Sequence, residues 1–214
     1  MGLIINARGA GGSGKTTLAQ RILKDFRWQE GGLIRSLERA GRERPMGYCL
    51  RHPEGGPDLI VLGHYERTSG GCDTIPLSDG GLDEVFRLAE LWADAGCDVF
   101  LEGLELSFEV RRSAELARRQ NLHVIFLSTP AEQSARNLAR RRGVPQSGVA
   151  HLASSAQLQR ASIETACDRL RQGAKVEELD LDQAHARVRQ LLGLGHTLNA
   201  GGAQPGGLAL PSSP

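Results

Sequence analysis

The sequence predicts an α/β fold in which a mostly parallel sheet carries helices on both faces. Three observations predict it. Short apolar runs alternate with amphipathic segments along most of the chain. The first apolar run leads straight into a glycine-rich turn and then a helix-like segment. The pattern stops at Leu194, where the composition turns to Gly, Pro, Ala and Ser. The 214 residues therefore divide into one α/β domain over 1–193, long enough for a sizeable core, and a tail over 194–214 expected to be flexible.

The elements follow in order. Residues 2–7 form a continuous apolar run and read as a buried strand. Residues 17–26 place Leu18, Ile22 and Leu23 on one helical face. Residues 27–45 are polar and mixed and show no clear period. Residues 46–50 and 59–62 read as strands, and Pro53-Glu54-Gly55-Gly56-Pro57 between them signals a hairpin or tight return. Residues 63–81 form a long polar loop, which in a compact domain points to function. An amphipathic helix over 82–95 ends at Gly96. Then come a strand over 98–101, a helix over 108–120 and a strand over 122–127. A helix over 131–142 starts after Pro130, and a long helical region covers 150–172. A strand over 176–181 and a helix over 182–192, stopped by Gly193, close the domain.

Bulk properties set limits. A formal net charge of +1 gives no general pull toward nucleic acid or acidic membranes, so contact with a polyanion must come from local clusters. No apolar run is long enough to predict a transmembrane helix, and no signal peptide is expected. The four cysteines lack C-x-x-C spacing and read as reduced thiols in a cytoplasmic compartment.

The string Gly9-Ala10-Gly11-Gly12-Ser13-Gly14-Lys15-Thr16 matches G-x-x-x-x-G-K-[ST] in full, between a strand and a helix as that motif requires. Glycines let successive N–H groups converge on phosphate oxygens, and the helix N-terminus favours the anion. Lys15 is the catalytic cation, reaching the β- and γ-phosphates of ATP, and Thr16 offers its hydroxyl to Mg²⁺. Thr17 completes the ATP-binding set in the first helical turn.

Three further groups of residues carry chemistry. Glu102 ends the strand Asp98-Val99-Phe100-Leu101-Glu102, at the sheet edge where doubly wound folds bind ligands. Its expected role is to hold Mg²⁺ through water or to orient the attacking hydroxyl, whereas Asp98 at the other end is structural. Arg136 and Arg140 lie four apart on one helical face and are the expected lid arginines. Arg141 and Arg142 read equally well as a solvated face. In the loop after residue 62, Tyr65, Glu66, Arg67 and Asp73 are the expected acceptor-binding residues. Glu66 and Asp73 are the candidate general bases, with Asp73 preferred because it adjoins the Gly70-Gly71 pair. Tyr65 is expected to stack on a base or sugar.

The phosphate loop, the Val99-Phe100-Leu101-Glu102-Gly103 strand and the arginine helix after Leu127-Ser128-Thr129-Pro130 together resemble the P-loop nucleoside and nucleotide kinase superfamily. The resemblance spans residues 2–192. It implies a three-layer P-loop kinase fold with a helical lid, and an ATP- and Mg²⁺-dependent phosphotransferase acting on an alcohol group. The segment Leu62-Gly63-His64-Tyr65, followed by Gly70-Gly71-Cys72-Asp73-Thr74, is similar to P-loop kinases encoded by bacteriophages. Among these it resembles the 5-hydroxymethyluracil DNA kinases, which phosphorylate the hydroxymethyl group of a modified base in DNA during thymidine hypermodification. That resemblance implies a modified-DNA acceptor and a place in the host cytoplasm. The alternatives are a kinase of a free nucleoside, nucleotide or other small hydroxyl compound, and an ATPase or nucleotide-dependent switch. No Asp-Gly-Phe-Pro-Arg string of the adenylate kinase type is present.

Overall fold

A computed structural model describes residues 1–66 and 70–195. Seven strands form one sheet in the order β2-β3-β4-β5-β1-β6-β7. They are β1 (Leu3–Arg8), β2 (Leu33–Leu37), β3 (Gly47–Leu50), β4 (Leu59–Leu62), β5 (Asp98–Glu102), β6 (Asn121–Leu127) and β7 (Lys175–Leu179). The pairs from β4 through β5, β1 and β6 to β7 are parallel, while β2–β3 and β3–β4 are antiparallel. The expected sheet is therefore present, and the hairpin at 51–58 supplies its antiparallel edge.

Alternation along the strands divides the core in two. On one face Leu3, Ile5, Ala7 and Phe100 pack under α1 (Lys15–Asp25) and α7 (Leu181–Leu191). On the other, Ile4, Val99, Leu101 and Phe126 pack under α2 (Gly81–Asp94), α4 (Arg111–Arg119) and α6 (Val149–Leu170). The remaining helices are α3 (Leu104–Phe108) and α5 (Ala131–Arg142), and α5 packs on α6.

The elements differ from expectation in two places. The mixed segment 27–45 contains β2, an edge strand whose first four residues are exposed or half-buried, so it has no clean apolar face to read. The helix expected over 108–120 breaks at Glu109, which is extended. The Glu109 carboxylate accepts the Arg112 and Ser113 N–H groups, both at 2.9 Å, and so starts α4 afresh. At the C-terminus, Leu194 is buried in the α1/α7 core and the Gly195 N–H donates to Glu54 at 3.0 Å, so these two residues pack with the domain. The rest of the expected tail, 196–214, lies outside the described residues, as does Arg67.

Candidate functional site

The loop between β1 and α1 is shaped by three glycines with positive φ: Gly9 (157°), Gly12 (83°) and Gly14 (103°). Gly12 also allows a close approach, because a Cβ there would meet the Ser134 carbonyl oxygen at 2.2 Å. Three side chains fix the loop from outside. Asn137 donates to the Gly12 carbonyl (3.0 Å), Thr129 to the Ser13 carbonyl (2.8 Å), and Gln159 accepts the Gly11 N–H (2.9 Å). Lys15 is buried, and its Nζ donates to the Gly9 and Ala10 carbonyls at 2.6 and 3.1 Å. Burial pulls its pKa down, opposed by the charges of Glu102 and Asp73.

Strand register brings the acid to this loop. Parallel pairing sets Ala7 beside Glu102, two residues before Gly9. Thr16 Oγ1 donates to Glu102 Oε1 at 3.1 Å. Glu102 is buried, and desolvation pushes its carboxyl up to about 7 despite Lys15 and the Thr16 hydrogen bond.

These groups form the floor and one wall of a cleft of about 1270 Å³. The opposite wall comes from two segments distant in sequence, 41–44 and 70–79. Arg42 ties them together: it pairs with the Asp79 carboxylate and donates to the Thr74 carbonyl (2.7 Å). Asp73 stands in this wall and also caps α3, accepting the Leu104 N–H (2.7 Å) and the Glu105 N–H (3.2 Å).

A 5-hmdU DNA kinase of Pseudomonas phage PaMx11 is 34% identical to this chain over 194 residues, covering 88% of this chain and 96% of the relative. The chain belongs to the 5-hmdU DNA kinase family. It is a kinase, a phosphotransferase. No family model matches the chain. Among solved structures, a gluconokinase from Sinorhizobium meliloti 1021 aligns over 90% of each chain with 16% identity and a TM-score of 0.38.

In this member of the 5-hmdU DNA kinase family the cleft gathers Gly11 to Thr17, Glu102 and Asp73, while Gly9 and Ala10 of the expected ATP-binding set do not line it, and other expected residues lie elsewhere. Tyr65 is 2% exposed, packed in the core under α1, with its hydroxyl donating to the Leu62 carbonyl at 3.3 Å and lying against Glu102. Burial pushes its pKa well up, and the residue borders a second cavity rather than this cleft. Glu66 is exposed and lines a separate cavity of about 390 Å³ beside Arg27 and Trp28. Arg136 and Arg140 do not line the cleft among the described residues; Arg136 donates to Gln133 instead. The cleft-facing side of α5 runs through Gln133, Asn137 and Arg141, one residue further round the helix, and Arg142 joins it at the rim. Sequence reasoning missed Arg42, Arg44 and Gln159. The four-residue spacing from Asn137 to Arg141 is a signal that was available, whereas nothing in the sequence links Arg42 to Asp79.

Proposed function

We propose that the chain transfers the γ-phosphoryl group of ATP to the hydroxymethyl oxygen of 5-hydroxymethyluracil in DNA. The observation that carries this reading is the relative named 5-hmdU DNA kinase, matched over 96% of its length. The cleft supports it: about 1270 Å³ exceeds the roughly 300–1,000 Å³ of an ordinary small-molecule pocket, leaving room for a nucleotide acceptor beside the donor.

The acceptor hydroxyl oxygen attacks the γ-phosphorus, the bond from that phosphorus to the β–γ bridging oxygen breaks, and ADP leaves. Asp73, on the acceptor wall, takes the hydroxyl proton. Its carboxylate is held by the α3 N–H groups, so its direction is fixed before the acceptor arrives. Lys15 and the loop N–H groups hold the donor phosphates, and Arg141 and Arg142 supply positive charge from the α5 side.

The residues present fit Mg²⁺. Thr16 and Glu102 would hold it: a hydroxyl and a carboxylate 3.1 Å apart, the carboxylate buried beside Lys15. No cluster of three or more His, Cys, Asp or Glu suited to a metal occurs among the described residues, which agrees with an ion held largely by phosphate and water. When bound, Mg²⁺ neutralises developing charge on the phosphates. Among the described residues no helix is long and apolar enough to cross a membrane, and we place the enzyme in the cytoplasm of a phage-infected host.

The test supplies labelled ATP and Mg²⁺ with DNA containing 5-hydroxymethyluracil, or with the free nucleoside and nucleotide. Label in the DNA is expected. Label only in the free compounds would favour a small-molecule kinase, the reading suited to a net charge of +1. ATP hydrolysis without any acceptor would favour a switch.

A further inference from the structure

One apolar side chain stands out at the acceptor end of the cleft. Leu77 is 90% exposed, more than any other large apolar residue among the described residues. Its neighbours Pro76 and Ser78 line the cleft. The turn that carries it is braced. Pro76 restricts the backbone on one side, and the Gly80 N–H closes onto the Leu77 carbonyl at 3.0 Å. Arg39 donates to the Asp79 carbonyl at 2.6 Å, and Arg42 pairs with the Asp79 carboxylate. Leucine at this position contributes nothing to the core, yet a rigid turn holds it out at the rim of the cleft.

The depth of the site supplies the reason. Lys15 and Glu102 are 7% and 2% exposed on the cleft floor. A base stacked in a duplex carries its C5 substituent only into the major groove, and the surrounding duplex blocks descent to that floor. Enzymes that act on a base commonly take its nucleotide out of the stack, and doing so would carry the hydroxymethyl group toward a donor held over that floor. Proteins that open a stack insert an apolar wedge, often Leu. Exposed Arg44, in the 41–44 segment that lines the same cleft, complements a flanking phosphate. We propose that Leu77 is the wedge that enters duplex DNA and fills the space left as the target nucleotide swings into the cleft. This inference rests on the DNA-acceptor reading above.

The experiment compares wild type with Leu77→Ser, Leu77→Ala and Leu77→Met. The acceptor is one 5-hydroxymethyluracil strand, alone or in duplex, with 2-aminopurine beside the target. Phosphoryl transfer and 2-aminopurine fluorescence are both read. Wild type labels both substrates and brightens the duplex. Leu77→Ser and Leu77→Ala lose about tenfold or more on duplex, where the step must be unstacked without a filler, yet stay within about twofold on the single strand. Leu77→Met, still apolar, restores duplex labelling. Equal loss on both substrates, or no loss on duplex, overturns the wedge while wild-type labelling of DNA keeps the acceptor reading intact. Wild-type protein that labels free nucleotide but no DNA overturns both.

Discussion

The two walls of the cleft are made by opposite means. The wall we propose for the donor is one continuous stretch, Gly11 to Thr17, where glycines set the direction of the backbone N–H groups. The wall we propose for the acceptor is assembled from 41–44 and 70–79, brought together by the side chain of Arg42. A backbone site depends on local spacing. A side-chain site depends on contacts that exist only once the chain has folded.

The sharpest test of the donor wall is Lys15→Ala. Lys15 carries charge to the phosphates, and removing one such group costs about 10²–10³ in rate or more. Transfer to any acceptor is expected to fall by at least that factor, with the melting temperature little changed. Retained transfer would separate the loop from catalysis and break the comparison at its stronger side.

Asp73 stands where the walls meet, and its two roles can be separated. Asn takes no proton and keeps one of the two N–H contacts, because its amide nitrogen cannot accept, so the cost to the cap is about one hydrogen bond of 0.5–1.5 kcal/mol. Asp73→Asn is therefore expected to melt within a few degrees of wild type while kcat falls about 10²-fold or more, the usual contribution of a general base. Unchanged kcat, measured at saturating ATP and acceptor, would leave Asp73 as a cap of α3 only and make Glu102, the buried carboxyl pushed up to about 7, the next candidate for the base.

A smaller effect decides which face of α5 matters. Arg141 lines the cleft and Arg136 does not. Loss of one charged hydrogen bond of about 1.5–3 kcal/mol predicts a drop of roughly tenfold or more for Arg141→Ala. Arg136→Ala and Arg140→Ala are expected to remain near wild type in kcat/KM. The reverse order would reinstate the face first expected from the sequence.

What was legible follows the same division. β1, the phosphate loop and α1 are readable because a largely apolar strand, a fixed motif and a helical period are each local signals. Glu102 is readable because it ends a strand at the carboxyl edge of the sheet, where doubly wound folds bind ligands. Tyr65 was misplaced because a tyrosine in a polar loop carries no mark of burial; that comes from α1 packing over it. The α5 arginines were misassigned because the two possible faces differ by one residue, and only the Asn137 contact to Gly12 chooses between them. β2 escaped because an edge strand needs no clean alternation, and the acceptor segment beyond it escaped with it.

Arg42 gives the mildest and most specific test of the acceptor wall. Its guanidinium reaches Asp79, the Thr74 carbonyl and, at 2.5 Å, the Arg44 carbonyl, a spread of contacts that needs the planar fork of arginine. Lysine keeps the charge but makes only part of this set. Arg42→Lys should then loosen 41–44 against 70–79 without touching the phosphate loop. The acceptor KM is expected to rise about three- to tenfold, in line with one or two weakened hydrogen bonds, while the KM for ATP stays put. If both constants move together, the walls are coupled through the floor and the division between them is not functional. If neither moves, Arg42 braces the fold alone, and the acceptor is held by the remaining groups of 70–79.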